Sequence, residues 1–236
     1  MRAVLRRELQ SYFHTPVGYV FLGVFLLVCS FVFLFTNLFA YSGEVLSFLK
    51  QISFLSLVLC PLLTMRLMSE ERRQKTDQLL LTSPQSVTSI ILGKYFSAAA
   101  VFALALLLTA PYLVIVAAYG TLFLSETLTG YLGFLLQGMA FLAVDLLVST
   151  LTKSQVSAAV MGIFVNLLLW SCDMVTALTS SAAIAGITKF FSLYAHLDGF
   201  LMGQLSLSDS VYFLVFSAGM LFICVRVTDA RRFVGE

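Results

Sequence analysis

The sequence predicts an all-α integral membrane protein with six transmembrane helices, and three observations lead to that class. Of 236 residues, 60% are hydrophobic and only 11% charged, whereas a soluble globular domain carries roughly 25% charged residues. Six apolar runs reach, or nearly reach, the about 20 residues a helix needs to cross the hydrocarbon layer. If those runs alternate in direction, nearly all basic residues fall on one side of the membrane. The bilayer is the solvent most of this surface requires. A net charge of +2 gives no reason to expect a nucleic-acid partner. Residues 1–236 read as one transmembrane domain.

Before the first run, Val4, Leu5, Leu9 and Tyr12 share a helical face while Arg2, Arg6 and Glu8 are expected to face water. That pattern predicts a short helix lying along the inner interface; a basic anchoring tail fits the same residues. The first span runs from about Val17 to Phe39. It is too long for a signal-peptide core and lacks a small-residue cleavage pattern after it, so it reads as a retained anchor. The second, from about Ile52 to Met65, is short and becomes adequate if Leu49 and Leu67 contribute while Lys50 and Arg66 snorkel to opposite interfaces. Pro61 inside it predicts a bend, because proline has no backbone donor.

The third span covers about Ile91 to Ala118, with Gly93 and Lys94 near its start and Pro111 in its interior. The fourth covers about Leu132 to Leu151 and the fifth about Val156 to Leu178, joined by a tight hairpin. The sixth runs from about Val211 to Val227. Placing the amino terminus inside puts twelve Lys and Arg residues on the cytoplasmic side and leaves Lys50 and Lys189 outside. The expected location is therefore the cytoplasmic (inner) membrane, with both termini cytoplasmic.

Between spans five and six, ITKFFSLYAHLDGFLMGQL is too apolar for a wet loop and too interrupted for a span. It predicts an amphipathic segment at the outer interface, where Tyr194, His196 and Asp198 suit the headgroup zone. His196 with Asp198 is too small a set for a metal or an acid–base centre. Cys29, Cys60, Cys172 and Cys224 lie singly in apolar stretches and form no zinc or redox motif. No metal site is expected.

The most polar interruption lies between spans two and three, where seven of the 26 charged residues fall between Arg66 and Asp77. Glu71 with Lys75 and Arg73 with Asp77 have helical spacing, and Leu67, Leu79, Leu80 and Leu81 supply apolar ends. The expectation is two short helical elements with an apolar edge, stopped at Ser83 and Pro84, with Ser86 capping the next helix. A plain connection between membrane helices is commonly about 2–8 residues, so this one reads as a docking surface. The chain has no Gly-Lys-Ser or Gly-Lys-Thr phosphate loop of its own.

EERRQKTDQLLLTSPQSVTSIILGKYFSA, together with RRELQSYFHTPVGYVFLGVF, LLVSTLTKSQVSAAV and FSLYAHLDGFLMGQLSLSDSVYFLVF, resembles the type 2 permease subunits of ATP-binding cassette transporters. The similarity is strongest to the branch of gliding-motility permeases and of the permease for nitrous-oxide reductase maturation. The resemblance implies a permease that pairs with a second copy or a related permease and docks a separate ATPase dimer, which holds the ATP and Mg; this chain binds no cofactor and has no catalytic residue. It implies that Glu70, Glu71, Arg72, Thr76, Leu79, Leu80, Thr82, Ser83 and Pro84 form a coupling helix, with Gly93 and Lys94 opening the helix that follows. Lys75 stands where the family usually has glycine, and Gln78 where it has an acid. An envelope auxiliary protein is a further possible partner. A membrane scaffold that docks an ATPase without moving a solute is the alternative.

Asp145, Asn166, Ser171 and Asp173 are the polar departures within the spans. Such groups turn toward a bundle interior or a transport path; they either join helices by hydrogen bonds or line a route. Gly130, Gly133, Gly138 and Gly219 are expected to permit close helix packing.

Overall fold

The computed structural model describes residues 1–40, 43–73, 86–119, 123–178 and 192–234, except the side chains of Asp173 and of residues 176–178 and 231–234. Among these residues the regular structure is all helical, with no strand. The helices are α1 (Arg2–His14), α2 (Pro16–Phe33, continued by a π turn over Leu34–Leu38), α3 (Val45–Arg73), α4 (Val87–Leu107), α5 (Ala110–Tyr119), α6 (Leu124–Leu151), α7 (Gln155–Leu178), α8 (Leu193–Leu201) and α9 (Leu207–Val234). Six helical stretches are long and apolar enough to cross a membrane, the third formed by α4 and α5 together. This is the six-span architecture that the hydropathy implies.

α6 is the central post: α3, α9, α7, α8 and α4 all pack on it. Its glycines make room for them. At Gly133 an added Cβ would collide with Phe200 of α8, at Gly138 with the Phe102 ring of α4, and at Gly130 it would lie 2.7 Å from Leu46 of α3. Gly219 does not belong to this set, since nothing lies within 4 Å of the place its Cβ would occupy. Around the post, Phe25, Phe102 and Phe134 form a buried aromatic row. The outward faces of α2, α7 and α9 expose Leu27, Phe31, Val160, Phe164, Val215 and Phe222, an apolar rind suited to lipid.

Three elements differ from the sequence reading. The second span is 29 residues, Val45 to Arg73, about 43 Å at 1.5 Å per residue. It exceeds the hydrocarbon layer of about 30 Å by a little over two turns, and its charged end, Arg66 to Arg73, is a continuation of α3 rather than a separate short helix. Lys50 and Arg66 accordingly lie within the helix. Propensity explains this: Met, Glu and Arg are good helix formers that continue a helix already nucleated by its apolar part.

The third span is broken. α4 ends at Leu107, Thr109 Oγ1 turns back to the Leu106 carbonyl at 2.6 Å and meets the Tyr131 hydroxyl at 2.9 Å, and α5 starts at Ala110. Pro111 therefore stands in the first turn of a new helix, where its missing N–H costs nothing, not in the interior of a continuous one. The third difference is Glu8. It is only 9% exposed and points into the protein instead of toward water.

At the opposite end of the bundle, Ser192 caps α8 by accepting from Ala195 N at 3.1 Å. Gly203 follows with φ +74, a left-handed conformation that favours glycine, and its open side rests on Glu126. The Tyr194 hydroxyl donates to the Lys50 carbonyl at 3.3 Å, and Asp198 lies 3.9 Å from Lys50 Nζ. His196 does not pair with Asp198. Its Nδ1 lies 2.6 Å from Asp209 of α9, and its ring stacks on Tyr212 at 3.7 Å. Two residues along a helix are a little over half a turn, which points His196 and Asp198 to different sides, so Asp198 ties α8 to α3 and His196 ties it to α9.

Candidate functional site

The charged residues nearest the predicted coupling segment converge in a clasp built from three helices. Lys94, on α4, is 1% exposed. Its Nζ donates to the Leu67 carbonyl at 2.6 Å and pairs with Glu8 of α1 at 3.2 Å and Glu71 of α3 at 2.9 Å. Arg7 of α1 closes the ring, reaching Glu8 at 2.7 Å and Glu71 at 3.0 Å. Among the described residues, two cations thus meet two carboxylates.

The backbone makes this geometry possible at Gly93. A Cβ there would stand 2.9 Å from the Val4 side chain, so α1 lies directly on α4 and places Glu8 over Lys94. Tyr12, buried one turn further along α1, donates to the Leu63 carbonyl of α3 at 2.9 Å. Arg66 adds a second tie: it pairs with Glu70 at 3.2 Å and donates to Thr15 Oγ1 at 2.9 Å. A cavity of about 370 Å³ opens beside these groups, lined by Arg7, Glu8, Ser11, Tyr12, Arg66, Leu67, Glu70, Glu71 and Lys94.

Arg72 turns the other way. It donates to the carbonyls of Thr150 at 2.9 Å and Thr152 at 3.2 Å, occupying acceptors that the end of α6 leaves without intrahelical partners. Ser149 of α6 also bridges to α3, accepting from the Met68 and Ser69 amides, each at 3.3 Å. The end of α3 is therefore bonded to α1, α4 and α6 at once. A displacement of this end has direct mechanical contact with three other helices.

Glu71 takes Lys94 and Arg7 as partners. Ser86 caps α4 as its position implied, its Oγ accepting from Ser89 N at 3.3 Å. Lys75, Thr76, Leu79, Leu80, Thr82, Ser83 and Pro84 lie outside the described residues, as do Asp77 and Gln78.

Burial pushes the Glu8 carboxyl up, but the charges of Lys94 and Arg7 and their hydrogen bonds outweigh it and hold the group below its ordinary value of 4.5. Arg7 is raised in turn, chiefly by its hydrogen bond to Glu8. A carboxyl whose folded pKa is depressed contributes stability that is complete above its unfolded pKa and is lost as pH falls through the folded value. The unfolding midpoint of the purified protein should therefore drop on acidification below the ordinary glutamate range. Glu8→Gln should unfold at lower temperature at neutral pH, with the two curves converging in acid; parallel curves would mean that Glu8 is not ionised in the clasp.

Within the spans, Asp145 and Asn166 meet and Ser171 does not join them. Asn166 Nδ2 lies 3.1 Å from Asp145 Oδ1 and donates also to the Leu57 carbonyl at 3.3 Å. Leu57 is four residues before Pro61, so its carbonyl lacks the helical donor that any other residue at 61 would provide. Asn166 replaces that donor from a neighbouring helix. Ser171 instead donates to Leu167 of its own helix at 2.8 Å, and the Asp173 side chain lies outside the described set. Among the described residues, no cluster of three or more His, Cys, Asp or Glu residues is arranged to hold a metal.

The sequence profile of ABC-2 family transporter proteins matches residues 30–215, which covers most of the chain, four of the six spans in full and the first and sixth in part. The chain belongs to the ABC-2 transporter family. No curated protein matches it. As an ABC-2 permease it is a multi-pass membrane protein, and membership implies association with an ATP-binding cassette ATPase. The clasp just described joins the helices on either side of the segment that the resemblance assigns to that association.

Arg7, Glu8 and Arg66 were not singled out by the sequence reading as parts of a site. A signal for the first two was present. Lys94 sits in the apolar run SIILGKYFSAAA, where an ammonium group needs a carboxylate partner, and Glu8 is the only acid before the first span.

Proposed function

We propose that this ABC-2 permease receives a separate ATPase dimer on the segment from Glu70 to Pro84 and passes its movement through the end of α3 to the membrane helices. The observation that carries the reading is the buried Lys94–Glu8–Glu71–Arg7 clasp, because it bonds the start of that segment to α1 and α4. ATP binding by the partner closes the ATPase dimer, the segment moves, and the clasp makes α1, α3 and α4 move with it. ATP and Mg stay in the partner. Both termini are then cytoplasmic, α1 lies along the inner interface, and α8 lies at the outer one. The pairing unit is two copies of this chain or one copy with a related permease, within the gliding-motility and nitrous-oxide-reductase-maturation branch, and an envelope protein is a further partner.

The test is crosslinking from a cysteine introduced at Leu80 to a co-expressed ATP-binding cassette ATPase from the same organism, in membranes, with and without ATP. Adduct formation that changes with nucleotide supports docking; adducts from the outer residues Lys50 or Glu126 but none from Leu80 would overturn it. Reconstitution in sealed vesicles separates a transporter from a scaffold that transmits force. ATP-dependent movement of a solute or lipid is the transporter's signature.

A further inference from the structure

Away from the clasp, the meeting of α3, α6 and α7 buries a titratable group that the coupling mechanism does not use. Asp145 is 2% exposed and Asn166 fully buried. Asn166 Nδ2 faces both carboxyl oxygens, at 3.1 and 3.3 Å, and the Leu57 carbonyl. Its Oδ1 is buried with no hydrogen-bond partner. Buried acceptors in native proteins are almost always satisfied, and an ionised carboxylate has no proton with which to satisfy this one.

Among the described residues the surroundings offer no counter-charge. Among the described residues no ion pair includes Asp145. From α3 the titratable neighbour is the Cys60 thiol; from α7 come Asn166 and Gly162, neither of which titrates. On the other flanks of α6, α9 turns Cys224 to Thr150 and α4 turns Tyr95 to the Met139 carbonyl. A lone carboxylate in such a place is strongly disfavoured against its neutral form, because burial penalises an unpaired ion.

We infer that Asp145 and Asn166 form a proton-binding site, in which Asp145 carries a proton and donates it to Asn166 Oδ1. A small turn of the Asn166 amide sets the two planar groups edge to edge. The Asp145 O–H then donates to Asn166 Oδ1, one Asn166 N–H donates to the second Asp145 oxygen, and the other N–H remains on Leu57. Every polar atom of the pair is then satisfied. The proton comes from water, and no other bond forms or breaks. A metal cation does not fit: an added Cβ at Gly162 would already lie 2.9 Å from Asp145 Oδ1 and 3.0 Å from Pro61, which leaves no space for a coordination shell of about six oxygens. Any repacking that draws α7 away from α3 hydrates the carboxyl and releases its proton, so the conformational cycle would be proton-linked at this point.

The site does not depend on the ATPase reading and is tested without the ATPase. The full-length protein, labelled with isotopic aspartate and reconstituted in nanodiscs, is measured by infrared difference spectroscopy at neutral pH. The expected result is a labelled carboxylic-acid carbonyl band that disappears in Asp145→Asn and shifts to the higher frequency of a less hydrogen-bonded acid in Asn166→Val. Should Asp145→Asn not fold, the wild-type and Asn166→Val spectra decide alone. A labelled spectrum containing only carboxylate bands, or an acid band indifferent to both substitutions, would overturn the proposal, since Asp145 would then be ionised and held by water.

Discussion

Lys94→Met should lower the unfolding free energy by about 3–5 kcal/mol, the usual cost of removing one partner from a buried ion cluster. The methionine retains the apolar stem, but Glu8 and Glu71 both lose the Lys94 ammonium, and among the described residues the clasp then sets two carboxylates against Arg7 where two cations stood. The Leu67 carbonyl also loses its 2.6 Å donor. The double variant Lys94→Met/Glu8→Gln restores neutrality by leaving Arg7 with Glu71, and should be less damaged than the sum of the single variants, the coupling expected of groups in one network. Unfolding in mixed micelles measures both. A single-variant loss under about 1 kcal/mol, with additive double-variant behaviour, would mean that the clasp holds nothing together. The same variants separate stability from function: Lys94→Met/Glu8→Gln, though folded, should lose much of the ATPase response to the permease, because the ion-pair tie between α1 and α4 is then gone while the Val4–Gly93 contact still packs them together.

The six spans were legible in the sequence because lipid imposes a length and a composition that no other environment demands together. Helix ends were less legible. The charged turns of α3 look like a loop by composition, yet nothing in Arg66 to Arg73 opposes continuing a nucleated helix, and tertiary partners on α1, α4 and α6 then fix it. Pro111 was read as an interior proline because the apolar run does not pause at Leu108 and Thr109; only the hydroxyl contacts of Thr109 mark the break. Glu8 was misplaced for a different reason. Helical spacing puts it on a polar stripe with charged neighbours, but the position of Lys94 on a distant segment decides which way that stripe faces, and a single-segment pattern carries no such information. His196 likewise chose Asp209 over the acid two residues away, since helix geometry separates near neighbours in sequence and joins residues from different elements.

The close approach of α4 to α6 gives the second large effect. Gly138→Leu should destabilise by about 1–3 kcal/mol or more, the range for overpacking a filled core, because the first added carbon already meets the Phe102 ring. Phe102 cannot swing aside: it is fully buried, edge-on to Phe25 at 6.1 Å and stacked on Phe134 at 5.6 Å. Relief has to come from its removal. Phe102→Ala alone should cost about 3–5 kcal/mol through the cavity it leaves, yet in the Gly138→Leu background the new side chain occupies part of that space. The double variant should therefore be more stable than the sum of the two losses allows. Gly219→Leu supplies the matched control in detergent, since nothing lies within 4 Å of that position, and leucine's better helix propensity should leave it neutral or more stable by up to about 1 kcal/mol. Equal damage at the two glycines would show that the α4–α6 contact does not set the response, since leucine favours a helix over glycine at both positions. A rescue confined to the Gly138–Phe102 pair would instead locate the tolerance for close packing at one crossing, the one that joins α4, and with it Lys94, to the central post.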